Sequence, residues 1–384
     1  MFSASQLGKI PGHDAHQQEM VMLNVLPDFM PAMDAPVILP GQAQLFVTGA
    51  LQTPIGAVPV IKADLLRVDY WGSFKARWGV GRMHYAVDPG LYALGNPDAK
   101  SPVFVSANYK MSFDHLRRSL RGRDGWILVL DTLGINVWCA AGKGTFGTAE
   151  LVRRIFLAGL DRVVSHRRLI LPQLSAPGVA THRVHQYSGF KVIYGPIRAG
   201  DLPAFLDNGL KATPDMKLST FTWIERAVLI PIELVEALRA ATLSVPLFAI
   251  VGGLLGKGPF LESALQTGMT AAGALLTAVI SGAVLTPLLL PFVPGRAFSL
   301  KGFIIGCPLS LLYLMAVDFP SMLSTVAWFM IMTALSAFLA MNFTGASTYT
   351  SLSGVRKEMR WSLPLEIAGG SLGLLLWFAA FWIH

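Results

Sequence analysis

Cys139 is the residue around which chemistry is most readily built. It stands in Asn136-Val137-Trp138-Cys139-Ala140-Ala141-Gly142-Lys143-Gly144-Thr145-Phe146-Gly147. A cysteine thiolate is a nucleophile and a soft metal ligand. By position alone a lone cysteine reads equally as a small buried hydrophobe. The small residues behind it, Ala140, Ala141, Gly142 and Gly144, let a flat, bulky ligand approach the backbone. Gly142-Lys143-Gly144-Thr145 also suggests a phosphate loop. The Walker spacing, however, needs Gly five residues before the Gly-Lys pair and Ser or Thr directly after the Lys. Val137 and Gly144 stand at those places, so that reading fails. His182 and His185 are three apart on an expected helix, a metal-capable spacing with no evident third ligand. The basic clusters Arg153-Arg154 and His166-Arg167-Arg168 read as solvated or lipid-facing surface.

The elements that must position Cys139 are legible around it. Trp126 to Leu130 is a short apolar run with the length and branching of a buried parallel strand. Asp131, Thr132 and Gly134 then turn the chain, and Thr148 to Ile155 reads as a helix. Cys139 therefore falls in a strand-to-helix connection, where open α/β sheets bind ligands. Further strands are expected at Val103–Val105, Leu169–Leu171 and Phe190–Tyr194, with helices at Phe113–Leu120 and Val179–Tyr187. Leu45 to Val60 suggests a hairpin. Alternating strands and helices imply a Rossmann-like, doubly wound parallel sheet. Four loops should line one rim: Ser106–Lys110, Thr132–Gly147, Pro172–Pro177 and Gly195–Arg198. Tyr70 to Leu94 reads either as a capping layer on the sheet or as a wall of the ligand site.

Composition adds a second part. The chain has 384 residues, 53% of them hydrophobic, and a mean hydropathy of +0.52. That is too apolar for a soluble protein. Residues 1–45 are Pro-dotted and are expected to be a poorly ordered extension with no signal peptide. Asp14-Ala15-His16 begins like a corrinoid-ligand motif, but Glu19 stands where a Gly is needed. Residues 46–220 hold the α/β domain, and 221–384 an all-α transmembrane domain of five helices. The spans fall near 240–256, 264–290, 301–317, 322–345 and 362–383, after an amphipathic lead-in from Ser219. With the α/β domain inside, Arg226, Arg239, Arg296, Lys301, Arg356, Lys357 and Arg360 are inside and only Lys257 is outside, which places His384 outside. Glu236, Asp318 and Glu366 are read as lying towards span ends, which disfavours a proton-coupled transporter. Gly302/Gly306 and Gly369/Gly373 are GxxxG pairs for close helix packing. Cys307 reads as a packing residue. The net charge of +8 suits an anionic leaflet. No basic repeat or reader motif supports nucleic acid as a partner. The two cysteines form no Cys-x-x-Cys pair, so neither a zinc site nor an iron–sulfur cluster is indicated, and any electrons must come from elsewhere.

The stretch Asn136 to Phe146 resembles the signature of the corrinoid protein of the anaerobic mercury-methylation pair. The likeness extends to Arg77–Met83, Val87–Ala93, Val105–Lys110, Asn342–Gly345 and Tyr349–Glu358. In the soluble part it reaches more distantly to the large subunit of the corrinoid iron–sulfur protein of the acetyl-CoA pathway. This resemblance implies a cobalamin, with Cys139 as lower axial ligand of cobalt and catalytic residue. It implies contacts to the corrin from Asn136, Val137, Trp138, Ala140, Ala141, Gly142, Lys143, Gly144, Thr145 and Phe146, and from Ser106 and Asn108. It also implies methyl transfer to Hg(II), a small ferredoxin-like partner with two [4Fe–4S] clusters, a folate-linked methyl donor, and an anaerobe's inner membrane with the soluble domain in the cytoplasm. Two other functions remain open: a membrane-anchored corrinoid methyl carrier of one-carbon metabolism, and a non-enzymatic membrane metal binder using Cys139 and Cys307.

Overall fold

The computed structural model describes residues 35–346 and 352–383, with side chains from 35 to 343 and from 354 to 383. The expectations for residues 1–34, including Asp14-Ala15-His16, and for Tyr349-Thr350-Ser351 lie outside the described residues. The chain forms an α/β part followed by a helical part with five long apolar helices, the fold class implied by the sequence. It divides into two compact units: Met1–Gly72 with Met83–Leu218, and Ser73–Arg82 with Ser219–His384.

The first unit is built on a seven-stranded sheet in the order β1-β2-β3-β5-β4-β6-β7. The strands are β1 Val47–Thr53, β2 Gly56–Ile61, β3 Gly90–Leu94, β4 Val103–Ala107, β5 Gly125–Leu130, β6 Arg168–Leu171 and β7 Lys191–Tyr194. Strands β4 to β7 are mutually parallel. Their connections run through helices α2 (Lys110–Ser119), α3 (Val137–Lys143), α4 (Thr148–Leu157), α5 (Leu160–Val163) and α6 (Thr181–Ser188), after α1 (Arg67–Arg77); α7 (Leu202–Asp207) follows β7. Both faces of the sheet are covered. Val103, Val105, Trp126, Leu128 and Leu130 point to one core, with Leu151 and Ile155 of α4 and Val184 of α6. Phe104, Ile127 and Val129 point to the other, with Phe113 and Leu120 near α2 and Phe205 of α7. Central strands apolar on both faces are what such burial requires.

Three features depart from the sequence expectation. The sheet is mixed: β1 pairs antiparallel with β2, and β3 pairs antiparallel with β5. The β3–β4 connection, residues 95–102, carries no helix, and a parallel return needs a longer crossover. Gly90–Leu94 is therefore neither a capping layer nor a wall; it is a fully buried strand inside the sheet. The expected loop Ser106–Lys110 shrinks to Asn108 and Tyr109, because β4 runs through Ala107 and α2 starts at Lys110. Arg154 is not a surface cation: it is 6% exposed and bonds Glu150 Oε1 through Nε at 2.9 Å and a terminal nitrogen at 2.7 Å.

A buried ionic cluster fixes where α2 begins. The Arg117 side chain is fully buried and donates to Asp114 at 2.8 Å, Asp69 at 2.7 Å and the carbonyls of Lys62 at 2.7 Å and Asp64 at 3.0 Å. Lys110 Nζ donates to Asp69 at 2.6 Å and to Asp114 at 2.7 Å. The cluster joins α1, the chain after β2 and the first turns of α2. Burial acts to raise the Asp69 pKa. The bonds from Lys110, the Leu66 N–H and Arg117 outweigh it and hold the carboxyl below its ordinary value of 3.8.

In the second unit α8 (Trp223–Ala227) leads into α9 (Ile230–Leu255). α10 (Phe260–Val279) continues through a π-turn at Ile280–Leu285 into α11 (Thr286–Leu289), and α12 (Phe298–Ala316), α13 (Met322–Ala346) and α14 (Leu352–Ala379) follow. Among the described residues five stretches are long and apolar enough to cross a membrane: Trp223–Leu255, Phe260–Leu289, Phe298–Ala316, Met322–Phe343 and Gly354–Ala379. A Cβ added to Gly302 would meet Ser336 O at 2.7 Å, and one on Gly306 would meet Ser336 Cβ at 2.7 Å. The small residues thus seat α12 directly on α13, and the Ser336 hydroxyl bonds Gly302 O at 2.8 Å.

Replacing Arg117 by Met leaves Asp69 and Asp114 buried beside Lys110 alone. The expected cost is about 3–5 kcal/mol, the range for breaking a buried ion pair, read by denaturant unfolding. A depressed carboxyl pKa stabilises the fold fully above the unfolded value, and that share is lost as pH falls through the folded one. The native unit should therefore lose the Asp69 contribution only below pH 3.8. A change below 1 kcal/mol for Arg117→Met would show the cluster to be peripheral.

Candidate functional site

The site grows from the C-terminal ends of the parallel strands. Strand order β5-β4-β6 means that the chain moves to opposite sides of β4 in successive crossovers. Such a switch point leaves a crevice at the strand C-ends. The connection after β5 crosses this edge, and α3 packs against the turn Gln173–Ser175 that follows β6.

The first part of that connection is fixed by one amide. Asn108 Oδ1 accepts from Thr132 N at 3.1 Å, Thr132 Oγ1 at 2.8 Å and Gly134 N at 3.0 Å. Its Nδ2 donates to Asp131 Oδ1 at 3.3 Å, and Asp131 N donates to Glu150 Oε1 at 2.9 Å. Leu133 and Gly134 both take left-handed backbone, with φ of 57° and 69°. For a leucine that conformation is costly, and the bonds on either side of it hold the turn.

Asn136 then starts α3. Its Oδ1 accepts from Cys139 N at 2.9 Å, an N-cap bond at the third helical position. Gly144 ends the helix in the left-handed region at φ 85°. Ala140, Ala141 and Phe146 are buried in the core, and Val137 packs against it. Asn136, Trp138, Cys139 and Thr145 are half-buried, whereas Gly142, Lys143 and Gly144 are exposed. The helix therefore has an anchored side and an open side, with Cys139 and Gly142 one turn apart on the latter. The anchored side sits close to the chain before α6: a Cβ on Gly178 would meet Ala141 Cα and O, each at 3.0 Å.

The sequence-selected residues separate into three groups. Asn136 to Phe146 form one continuous cap helix with its C-terminal turn. Asn108 lies beside them, and its amide oxygen is committed to the turn Thr132–Gly134. Ser106 lies within β4, 2% exposed, with its hydroxyl on Ala107 O at 3.2 Å. Sequence reasoning had Thr132 only as the start of the rim loop Thr132–Gly147, and it missed Glu150 as a site-forming residue. The only available signal was the polar Asp131-Thr132 pair at the end of an apolar strand. Among the described residues no three His, Cys, Asp or Glu side chains converge as a metal site. A metal at Cys139 must therefore bring its other ligands with it, and a macrocycle-held metal meets that condition. Cys139 offers one soft, half-buried donor to such a group, and Gly142, three residues on, is exposed.

An α/β unit with a cysteine-bearing cap helix over its strand C-ends is thus the class this site defines. Residues 81–206, from the turn before β3 to α7, match the family described as CO dehydrogenase/acetyl-CoA synthase delta subunit. The chain is similar to the acetyl-CoA decarbonylase/synthase complex subunit gamma of Archaeoglobus fulgidus, 30% identical over 123 residues, which are 32% of this chain and 26% of that protein. It is 33% identical over 124 residues to the subunit gamma of Methanopyrus kandleri, with the same coverage. A subunit gamma from Methanosarcina mazei is 33% identical over 131 residues, 33% of this chain and 27% of its own. The chain spans about a quarter of the length of these relatives, and the family match, residues 81–206, includes Cys139. These likenesses support the distant relation to the corrinoid iron–sulfur protein large subunit.

Asn108→Ala removes the acceptor for the Thr132 and Gly134 N–H groups, each worth about 1–3 kcal/mol when left unsatisfied, while the Thr132 hydroxyl keeps Ile135 O at 2.7 Å. Amide exchange at Thr132 and Gly134 should accelerate at least about tenfold. Asn136→Ala should cost about 1 kcal/mol, with about fivefold faster exchange at Cys139. Unchanged protection in both variants would show that the helix is held by its core face alone.

Proposed function

We propose that this chain is a membrane-anchored corrinoid methyltransferase that methylates Hg(II), with Cys139 as lower axial ligand of cobalt. The observation that carries the reading is the presentation of Cys139 on the open side of a capped helix at the switch-point edge. The mercury assignment rests on the resemblance of Asn136 to Phe146. A bound corrinoid would supply a methyl–cobalt bond whose cleavage delivers the methyl group. The chain's own residues set up that chemistry. Asn136 holds the first turn of α3 and so the direction of the Cys139 side chain. A thiolate is a softer, more electron-donating ligand than imidazole or water, and favours departure of a methyl group that keeps electron density. Hg(II), an electrophile, needs a methyl group of that character. Trp138 and Gly142 flank the thiol, one as a wall and the other as clearance. Lys143 is exposed at the helix end, where it can meet polar groups at the edge of a corrin.

Regeneration requires a strong reductant and a methyl donor. A small ferredoxin-like protein with two [4Fe–4S] clusters and a folate-linked donor fill those roles in this reading. The five long apolar helices support a multi-pass membrane protein, and in this reading the membrane is the cytoplasmic one. The charge distribution orients it with residues 46–220 in the cytoplasm and His384 outside. A second reading is favoured by the relatives' membership of acetyl-CoA decarbonylase/synthase complexes: a corrinoid methyl carrier of one-carbon metabolism. The acceptor separates the two, because a carbon-metabolism carrier should methylate a thiol in preference to Hg(II).

Single-turnover methyl transfer to Hg(II) tests the assignment. Cys139→Ala should lower the rate by at least about a hundredfold, since each 1.4 kcal/mol of barrier costs tenfold. Cys139→His should bind corrin yet transfer slowly. Cys307→Ala should stay within about twofold of wild type, equivalent to a few tenths of a kcal/mol. A wild-type rate from Cys139→Ala sinks the axial-thiolate role. For orientation, an alkaline-phosphatase fusion after His384 should be active and a cytoplasm-dependent reporter silent; the reverse overturns the five-span topology.

A further inference from the structure

Helix α1 turns its aromatic residues outward. Trp71 and Phe74 share one face, and Trp78 extends that face by a turn because its N–H bonds Phe74 O at 3.2 Å. Trp71 is 58% exposed, Phe74 49% and Trp78 38%, and Tyr70 beside them is 53% exposed. The Phe74 and Trp78 rings are 6.1 Å apart between centroids. The opposite face carries Asp69, Gly72 and Ala76. Asp69 and Ala76 are buried, and a Cβ on Gly72 would meet the Tyr85 ring at 2.6 Å. A helix on the surface of a soluble unit turns its apolar face inward and its charge outward. In α1 the aromatic residues are outward and the one carboxylate is inward, held by Lys110 and Arg117.

Two further observations say what meets the aromatic face. The first is charge. The only acid of α1 is the buried Asp69, so the charge it shows is basic: Arg67 and Lys75 are exposed and Arg77 is half-buried. Lys75 and Arg77 flank the aromatic stripe on its two sides, as their spacing from Trp71 and Trp78 requires.

The second is continuity with the first apolar span. The turn after α1 rests on α9: a Cβ on Gly79 would meet Ile232 Cδ1 at 3.3 Å and Val235 Cγ1 at 3.9 Å. Both residues lie in the first two turns of α9, near the start of the apolar stretch Trp223–Leu255. Trp223, which opens that stretch, is 65% exposed. Ser73–Arg82 is compact with the membrane helices. With Trp223–Leu255 in a bilayer, the turn after α1 stands at the level where that span enters it. Trp and Tyr concentrate at that level, and Lys and Arg beside them meet anionic headgroups. A water-soluble protein partner would need the face clear of lipid.

We propose that the Trp71–Phe74–Trp78 face of α1 lies in the headgroup region of the leaflet that Trp223–Leu255 enters, with Arg67, Lys75 and Arg77 against anionic phospholipid. The proposal rests on the multi-pass membrane reading and not on the chemistry of Cys139.

The full chain, with Cys139→Ala and Cys307→Ala, is placed in nanodiscs of phosphatidylcholine with phosphatidylglycerol. It carries one nitroxide, at Phe74→Cys, Leu247→Cys or Gln186→Cys, and circular dichroism checks that each variant is folded. Power-saturation EPR compares collision with oxygen, which enters lipid, and with a nickel chelate, which stays in water. Leu247, 62% exposed on α9, reports the span, and Gln186, exposed on α6, reports water. The oxygen-to-nickel ratio at Phe74→Cys should be at least about threefold above that at Gln186→Cys and below that at Leu247→Cys, as residence at the headgroup–acyl boundary implies. Arg67→Gln with Lys75→Gln, or discs of phosphatidylcholine alone, should lower the ratio at Phe74→Cys by about twofold through lost cation–headgroup attraction. A ratio at Phe74→Cys equal to that at Gln186→Cys overturns the proposal. Collision with neither reagent also overturns it, and assigns the face to a protein cover. An unchanged ratio in neutral discs overturns the pairing with anionic headgroups. A water-like Leu247→Cys overturns instead the membrane reading on which the proposal rests.

Discussion

The side-chain oxygen of Asn108 is the point on which the site depends. It accepts from Thr132 N, Thr132 Oγ1 and Gly134 N, and it does so from a residue 6% exposed. That turn sets where Asn136 emerges, and Asn136 sets the first turn of the helix that carries Cys139. The amide is itself held in place from below. Asn108 lies between β4 and α2, and the start of α2 is fixed by Lys110 and Arg117, each bridging Asp69 and Asp114. The ionic cluster thus holds α2 just after Asn108, and a second set of polar contacts runs from Asn108 through the turn to the first turn of α3.

This arrangement explains how a seven-residue helix can be a stable platform. Isolated helices of that length do not form in water. Here Ala140, Ala141 and Phe146 bury one side in the sheet core, Asn136 caps the start and Gly144 closes the end. The same division leaves the other side open. A rigid anchor behind and clearance in front are what a single axial ligand needs, because its direction has to be set before the large group arrives.

Much of the fold was legible because its signals are local. The apolar runs around Phe104 and Leu128, the turn residues after Leu130 and the hairpin before Ile61 carry their structure in a few consecutive residues. Strand β3 was not legible: Gly90-Leu91-Tyr92-Ala93-Leu94 has no β-branched residue, and its antiparallel pairing with β5 is a property of the assembled sheet. The Asp69–Arg117 pair joins residues 48 positions apart, which no local pattern reveals. Arg154 resembled a surface cation because Glu150, four residues earlier, was not yet its partner. For the site, the continuous segment Asn136 to Phe146 was readable as a unit. Asn108 was selected as a ligand contact, and the structure gives its oxygen to the turn.

Cobalt K-edge X-ray absorption on the corrinoid-loaded chain addresses the central claim most directly. With Cys139 as the lower ligand, the cobalt environment contains one sulfur scatterer, and Cys139→Ser replaces it with a light atom while the four corrin nitrogens remain. A spectrum of wild type with only nitrogen and oxygen neighbours, indistinguishable from Cys139→Ser, would contradict the account.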